Sequence, residues 1–285
     1  MSTATQPVRR STRRLRDALR SAISRGEVVP YYQPIVDMRS GRVLRFEALA
    51  RWPDPSAEWV PPMRFVPLAE QHGLIGPLLR TMLEQALRDA VPWLQLIPDL
   101  RIAVNISPKN LGRTQLAADL SRSLEAAGAT ADWLSLEITE NVVLKDVGDA
   151  RRHIVELRSQ GMRIEIDDFG TGYASLKYLQ TLAIDAVKID RQFVEAAVRD
   201  ETSEKIVRAV IDLCHQLGFE AVAEGVSDPA VWDLLSSLGC DSVQGYLVSP
   251  PLAREAVGPW LDARQAAQER NALEQRRGPL GSYSN

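Results

Sequence analysis

The stretch Arg163-Ile164-Glu165-Ile166-Asp167-Asp168-Phe169-Gly170-Thr171-Gly172-Tyr173 places two adjacent carboxylates at the end of a strand-like alternation. Ile164 and Ile166 alternate with polar neighbours, the period of a strand. Side-by-side carboxylates repel, so the pair is costly unless a cation sits between them. Gly170 and Gly172 give the following loop a backbone freedom closed to other residues. Taken alone, Asp-Asp-Phe-Gly reads as an acidic turn. That reading loses ground because other strand-like segments also end at or near polar or charged residues: Glu47, Asn105, Glu137, Lys188, Glu224 and Gln244.

Carboxylates and an amide carbonyl suit hard divalent cations such as Mg²⁺ or Mn²⁺. The three histidines, His72, His153 and His215, are far apart and show no metal-ligand spacing. Two hard cations about 3.5–4 Å apart are the usual device for displacement at phosphorus. Asp167 and Asp168, being adjacent, can reach both ions, so one of them is the expected bridge. Lys188 offers a point positive charge for water or phosphate. Glu224 is a candidate general base. Arg51, four residues past Glu47, has the fork that grips phosphate oxygens. An acidic rim without cations would need basic residues that are scarce at these ends.

The elements that must position these groups follow from patterning. Strands are predicted over Tyr31–Val36, Val43–Leu49, Arg101–Ile106, Leu134–Thr139, the opening stretch from Arg163, Ala186–Ile189, Phe219–Ala223 and Asp241–Gly245. A proline-rich loop is expected from Trp52 to Pro62. Helices are predicted over Arg9–Arg25, Met63–His72, Pro77–Leu96, Thr114–Ala127, Val147–Gln160, Ala174–Leu179, Glu201–Leu217, Pro229–Leu238 and Ala253–Arg264. Eight short strands with helices between most of them predict an α/β fold, a closed TIM-type (β/α)8 barrel. In such barrels the active site gathers at the C-terminal ends of the strands. Residues 14–262 form the expected domain, after a flexible Arg-rich start at 1–13 and before a charged, frayed tail at 263–285.

Of the 285 residues, 45% are hydrophobic and 25% charged, an ordinary globular composition. The net charge of -3 gives no global field for a nucleic-acid polymer or an anionic membrane. No apolar run approaches the roughly 20 residues that span a bilayer. The start lacks the apolar segment of a secretory signal. Cys214 and Cys240 show no disulfide framework, which points to a reducing cytoplasmic compartment. The first 20 residues hold Arg9, Arg10, Arg13, Arg14, Arg16 and Arg20 against Asp17 alone. A solvated helix face explains that run more simply than contact with an acidic partner.

Glu47-Ala48-Leu49 with Arg51 resembles the signature of the EAL-domain cyclic di-GMP phosphodiesterases. Six further segments resemble motifs of that family, in family order. They are Tyr32-Gln33-Pro34-Ile35-Val36, Asn105-Ile106-Ser107-Pro108, Leu136-Glu137-Ile138-Thr139-Glu140, Val187-Lys188-Ile189-Asp190, Ala223-Glu224-Gly225-Val226 and Gln244-Gly245-Tyr246, beside the Asp167–Tyr173 stretch. The resemblance implies a cytoplasmic bacterial signalling enzyme on a barrel whose first strand runs antiparallel to the rest. It implies hydrolysis of cyclic di-GMP to linear pGpG with two Mg²⁺ or Mn²⁺ ions. By position, Glu47, Asn105, Glu137 and Asp167 would hold one ion, and Asp167 with Asp168 the second. Lys188 and Glu224 would orient and deprotonate the attacking water. Gln33, Leu49, Arg51 and Gln244 would hold the dinucleotide or metal-bound water. Glu140 would anchor the loop from Asp168 to Ser175, which in this family closes over the site and links it to a homodimer interface; the alternative for Glu140 is an acid placed at a helix start. Ser227 and Ala174 depart from the common pattern, and neither is a proposed ligand. No Gly-Gly-Asp-Glu-Phe stretch is present, so no cyclase half is expected, and regulation would come from a separate protein, the Arg-rich start or dimerisation. A binding module without turnover is the alternative in a different class. The intact set of Glu47, Asp167, Asp168, Lys188 and Glu224 favours the enzyme.

Overall fold

The computed structural model describes the backbone of residues 5–54, 57–140, 147–171, 179 and 182–277, and the side chains of all of these except 5–11, 57–58, 147–149 and 269–277. Its strands are β1 (Val29–Asp37), β2 (Val43–Asp54), β3 (Ala57–Val60), β4 (Arg101–Ile106), β5 (Leu134–Thr139), β6 (Arg163–Phe169), β7 (Ala186–Ile189), β8 (Glu220–Ala223) and β9 (Ser242–Gln244). Eight of them close a barrel in the order β1-β9-β8-β7-β6-β5-β4-β2, with β1 returning to pair with β2. β1 is antiparallel to both neighbours, and the other pairs around the barrel are parallel. The TIM-type barrel with a reversed first strand is therefore the observed architecture.

Side chains alternate between the two faces of each strand, and here the faces have opposite chemistry. Phe46, Ile102, Val104, Leu136, Ile164, Ile166, Val187, Ile189 and Val243 belong to one large cluster with residues of the surrounding helices, such as Leu83, Leu120, Ile154 and Ile211. The alternate positions face the barrel interior. Cα register pairs Gln33 with Glu47, Asn105 with Glu137, Glu165 with Ala186 and Lys188 with Val222. The inward residues form three storeys. Arg45, Ser135, Glu165, Glu220 and Ser242 lie toward the closed end. Ile35, Ala186 and Val222 form a small apolar cluster in the middle. The predicted site residues lie toward the mouth.

The largest differences from the sequence expectation lie in four places. The first helix spans Thr5–Arg25 and so begins four residues ahead of Arg9, while the last runs on to Arg277 through residues rich in Ala, Gln, Glu and Arg, good helix formers. The proline-rich loop contains a hairpin, with β2 continuing to Asp54 and pairing with β3. Its aromatic and β-branched residues, Trp52, Trp59 and Val60, favour a strand over the turn signalled by the prolines. A short helix at Arg191–Ala196, capped by Asp190, was not anticipated. The helix expected at Ala174–Leu179 lies, apart from Leu179, outside the described residues.

Candidate active site

Lys188 is the centre of the mouth storey. Its side chain is 1% exposed, and its ammonium lies 2.7 Å from Glu224 Oε1, 3.1 Å from Glu137 Oε1, 3.1 Å from Asp167 Oδ1 and 3.5 Å from Glu47 Oε2. Asn105 Nδ2 donates to Glu47 Oε1 at 2.8 Å, and Gln244 Nε2 donates to Glu47 Oε2 at 2.6 Å and to Gln33 Oε1 at 3.1 Å. Gln33 in turn donates to the Ser249 carbonyl at 3.2 Å. The structure thus joins Gln33, Glu47, Asn105, Glu137, Asp167, Lys188, Glu224 and Gln244 in one contact network drawn from seven barrel strands and the residue after β8.

Adjacent residues of a regular strand point to opposite faces, so Asp167 and Asp168 need a distortion to act together. The ladder between β6 and β7 shifts register between Ile166 and Phe169, and Asp168 has φ +56°. Such bulges re-aim side chains, and Asp tolerates the left-handed region better than most residues. As a result, ligand atoms of Asp167, Asp168 and Glu224 lie within 4.8 Å of one another. Gly170 N–H donates to Glu140 Oε2 at 2.9 Å, tying the start of the glycine loop to a buried acid. Gly172 to Ser175 lie outside the described residues.

The electrostatics are those of too many acids in too little solvent. Burial first, then Glu47, pushes the Glu137 carboxyl well above the usual range. Burial opposes ionisation of Glu47 too, but Lys188 and the donors Gln244 and Asn105 hold it below its ordinary value. Burial, aided by Asp167 and Glu47 and opposed by Lys188, pushes Glu224 up to about 8. Asp168 is raised to about 6 by burial and by Asp167 and Asp190. Burial works against the Lys188 charge, yet Asp167, Glu137, Glu224 and Glu47 keep its pKa well above the ordinary lysine value. Glu137 Oε2 meets no donor, and Glu137 Oε1 and Asp167 Oδ1 have only the shared Lys188 ammonium beside them. Buried carboxylate oxygens so sparsely partnered, next to the Asp167–Asp168–Glu224 group, are what hard cations bind, so the donor set fits the expected metals.

Two cavities open beside this floor. One of about 520 Å³ is lined by Gln33, Glu47, Leu49, Asp167, Glu224 and Gln244, and also by Arg191, Glu195 and Tyr246, which sequence reasoning missed. The second, about 590 Å³, shares Glu47 and Leu49 and includes Arg51 and Asn105 among a mainly apolar lining. Arg51 donates to the Ala50 carbonyl at 3.1 Å and lies 5.9 Å from the Tyr31 ring centroid. It therefore stands beside the network rather than in it. The signal that would have found Arg191 is Asp190, whose carboxylate accepts from Gln192 N–H at 2.7 Å and starts a helix one residue after the β7 motif.

Comparison with known proteins agrees with this geometry. The EAL domain family matches residues 16–251. An uncharacterised protein of Sinorhizobium fredii, y4lL, is 40% identical over 255 residues, covering 90% of this chain and 30% of its own length. The cyclic di-GMP phosphodiesterase NbdA of Pseudomonas aeruginosa is 38% identical over 251 residues, covering 87% of this chain and 32% of its own. The chain thus spans about a third of the length of these relatives. The solved c-di-GMP complex of the PaMucR phosphodiesterase superposes with a TM-score of 0.82 at 36% identity, covering 86% of this chain and 99% of that one.

Proposed function

The chain belongs to the EAL domain family, and from that membership we propose that it hydrolyses one phosphodiester bond of cyclic di-GMP, releasing linear pGpG. The observation that carries this reading is the floor of four carboxylates that share the single Lys188 ammonium, with Glu137 Oε2 buried and without a donor. The names of NbdA and of PaMucR point the same way.

Glu47, Asn105, Glu137 and Asp167 would hold one divalent cation, Mg²⁺ or Mn²⁺, and Asp167 with Asp168 a second. When bound, such ions lower the pKa of a water and offset the charge that builds on the phosphoryl oxygens. Lys188 orients the attacking water beside Glu224, and Glu224 takes its proton. The water oxygen bonds to phosphorus as the ribose 3′ oxygen leaves and is protonated. With its pKa near 8, Glu224 holds a proton at neutral pH in the cation-free chain. Added positive charge favours the carboxylate and frees it to act as a base. Gln33, Leu49, Arg51 and Gln244 grip the dinucleotide. Glu140 steadies the loop after Asp168 through the Gly170 N–H. The same reading carries a cytoplasmic homodimer that acts alone or is regulated through a separate protein, the Arg-rich start or dimerisation. No helix among the described residues is long and apolar enough to cross a membrane.

The test is turnover of cyclic di-GMP by the purified chain with Mg²⁺, Mn²⁺, Ca²⁺ or EDTA, following pGpG. Turnover with Mg²⁺ or Mn²⁺ that stops with EDTA is expected. Binding without turnover in every metal would make the chain a receptor instead.

A further inference from the structure

We propose that Arg191 is a substrate-positioning residue that holds the phosphate not undergoing cleavage. The inference rests on the reading above, in which the ligand is a ring with two phosphodiesters.

A ligand with two negative charges must enter a cavity whose wall includes Glu47, Asp167, Glu195 and Glu224. Cations bound on the floor would compensate those acids and the phosphate being attacked. The other phosphate is left to groups on the cavity walls, Arg51 among them. Burying an anion with too few partners is expensive, so a cationic group on this wall as well favours the bound ring. Among the described residues, Arg191 is the one basic side chain in that lining. The other arginine of the proposed site, Arg51, lines the neighbouring cavity instead.

Arg191 is also available. It is exposed, and among the described residues its guanidinium makes no ion pair or hydrogen bond, although Glu195 lies one helical turn away. An arginine left unpaired in an acidic cavity has its fork free for a phosphate, which it can grip through two parallel hydrogen bonds. Its backbone is nevertheless held firmly. A Cβ built on Gly225, the residue after the proposed base, would lie 2.4 Å from Arg191 Cβ, so only glycine permits this approach. Asp190, 7% exposed, caps the short helix that Arg191 opens. Two residues on, the Phe193 ring would lie 2.8 Å from a Cβ on Gly170. The residue is thus fixed at its root and free at its tip, which lowers the ordering cost of capturing a ligand.

The experiment compares Arg191→Ala, Arg191→Lys and the parent chain with two substrates, cyclic di-GMP and bis(p-nitrophenyl) phosphate, which has a single phosphodiester. Loss of a charge-assisted contact should raise KM for cyclic di-GMP by about tenfold or more while kcat stays within about threefold. KM for the single-phosphate probe should move by less than about twofold, since it has no second phosphate to hold. Arg191→Lys should recover part of the loss, and melting temperatures should agree across the three proteins. A KM for cyclic di-GMP unchanged in Arg191→Ala, or one raised equally for both substrates, would overturn the assignment. Should the parent bind cyclic di-GMP without cleaving it, the proposed hydrolysis fails, and Kd replaces KM as the readout. Equal Kd for parent and Arg191→Ala would then overturn the phosphate contact as well.

Discussion

At the closed end of the barrel two arginines face two glutamates; at the mouth one lysine faces four carboxylates. Arg45 lies 3.0 Å from Glu165 and grips Glu220 with both terminal nitrogens, at 2.9 and 3.1 Å, while Arg163 contacts the same two acids. Ser135 and Ser242 donate to Glu165 and Glu220. Charge there sums to zero. Although burial opposes it, Arg45 and Arg163 hold Glu220 down to about 2. At the mouth, four carboxyl groups share one ammonium in a buried space, and without cations the excess is relieved only by pushing Glu224 and Glu137 toward their protonated forms. Both clusters are buried, so burial alone does not separate structure from function. The imbalance does, because it is tolerable only where something positive is due to arrive.

The comparison can be broken at either end. The largest effect belongs to the mouth. Glu224→Gln should lower kcat by about 10²–10⁴ with no loss of melting temperature, and near-parental kcat would remove the base role. Next comes the closed end. Arg45→Met leaves two buried glutamates to Arg163 alone and should cost about 3–5 kcal/mol, read by denaturant titration. An unchanged midpoint would show that the lower cluster is not a structural clamp. Third, Glu137→Gln removes one excess acid and should stabilise the cation-free chain by about 1 kcal/mol. With Mg²⁺ present the order should reverse, because the parent gains more from the ion. If the variant is destabilised without metal, the mouth is not overcharged.

The fourth prediction concerns pH. Glu224 and Asp168 have folded pKa values near 8 and 6, above their ordinary ones. The folded chain therefore binds more protons than the unfolded one, so cation-free stability should fall as pH rises from about 5 to about 8. Glu220 works oppositely, but its contribution is lost only in strong acid, as pH falls through about 2. Saturating Mg²⁺ should flatten the slope, and a melting temperature that climbs over this range without metal would contradict it. The smallest effect is at Glu140→Ala, which removes the acceptor of Gly170 N–H and should lower kcat by less than about tenfold. An unchanged kcat would leave Glu140 as a helix-start acid.

Much of the mouth was legible because strand ends are punctuated: Glu47, Asn105, Glu137, Asp167 and Glu224 each stand at or just past an apolar alternation. The closed end was not. Arg45 and Glu165 lie two residues before Glu47 and Asp167, so period two does put them on the same face. Sequence patterning, however, takes an inward charge for an outward one, and only the register of distant strands reveals the partners. The reversed first strand was likewise invisible to periodicity, which has no direction, and came from the resemblance. The hairpin at Ala57–Val60 was hidden by the prolines around it, and Arg191 by the shortness of its helix.

The reversal of β1 has a mechanical consequence. Val29, at its start, pairs with Arg51, so the chain enters the barrel at the mouth rather than at the closed end. The helix Thr5–Arg25 is delivered there too, with Leu19, Ala22 and Ile23 wedged among Trp52, Val60, Phe65 and Leu68. Those contacts fasten the helix to the hairpin beyond Arg51, so its attachment is to the rim of the mouth. The ion pairs of Arg45 and Arg163 lie at the other end of the barrel, away from that attachment.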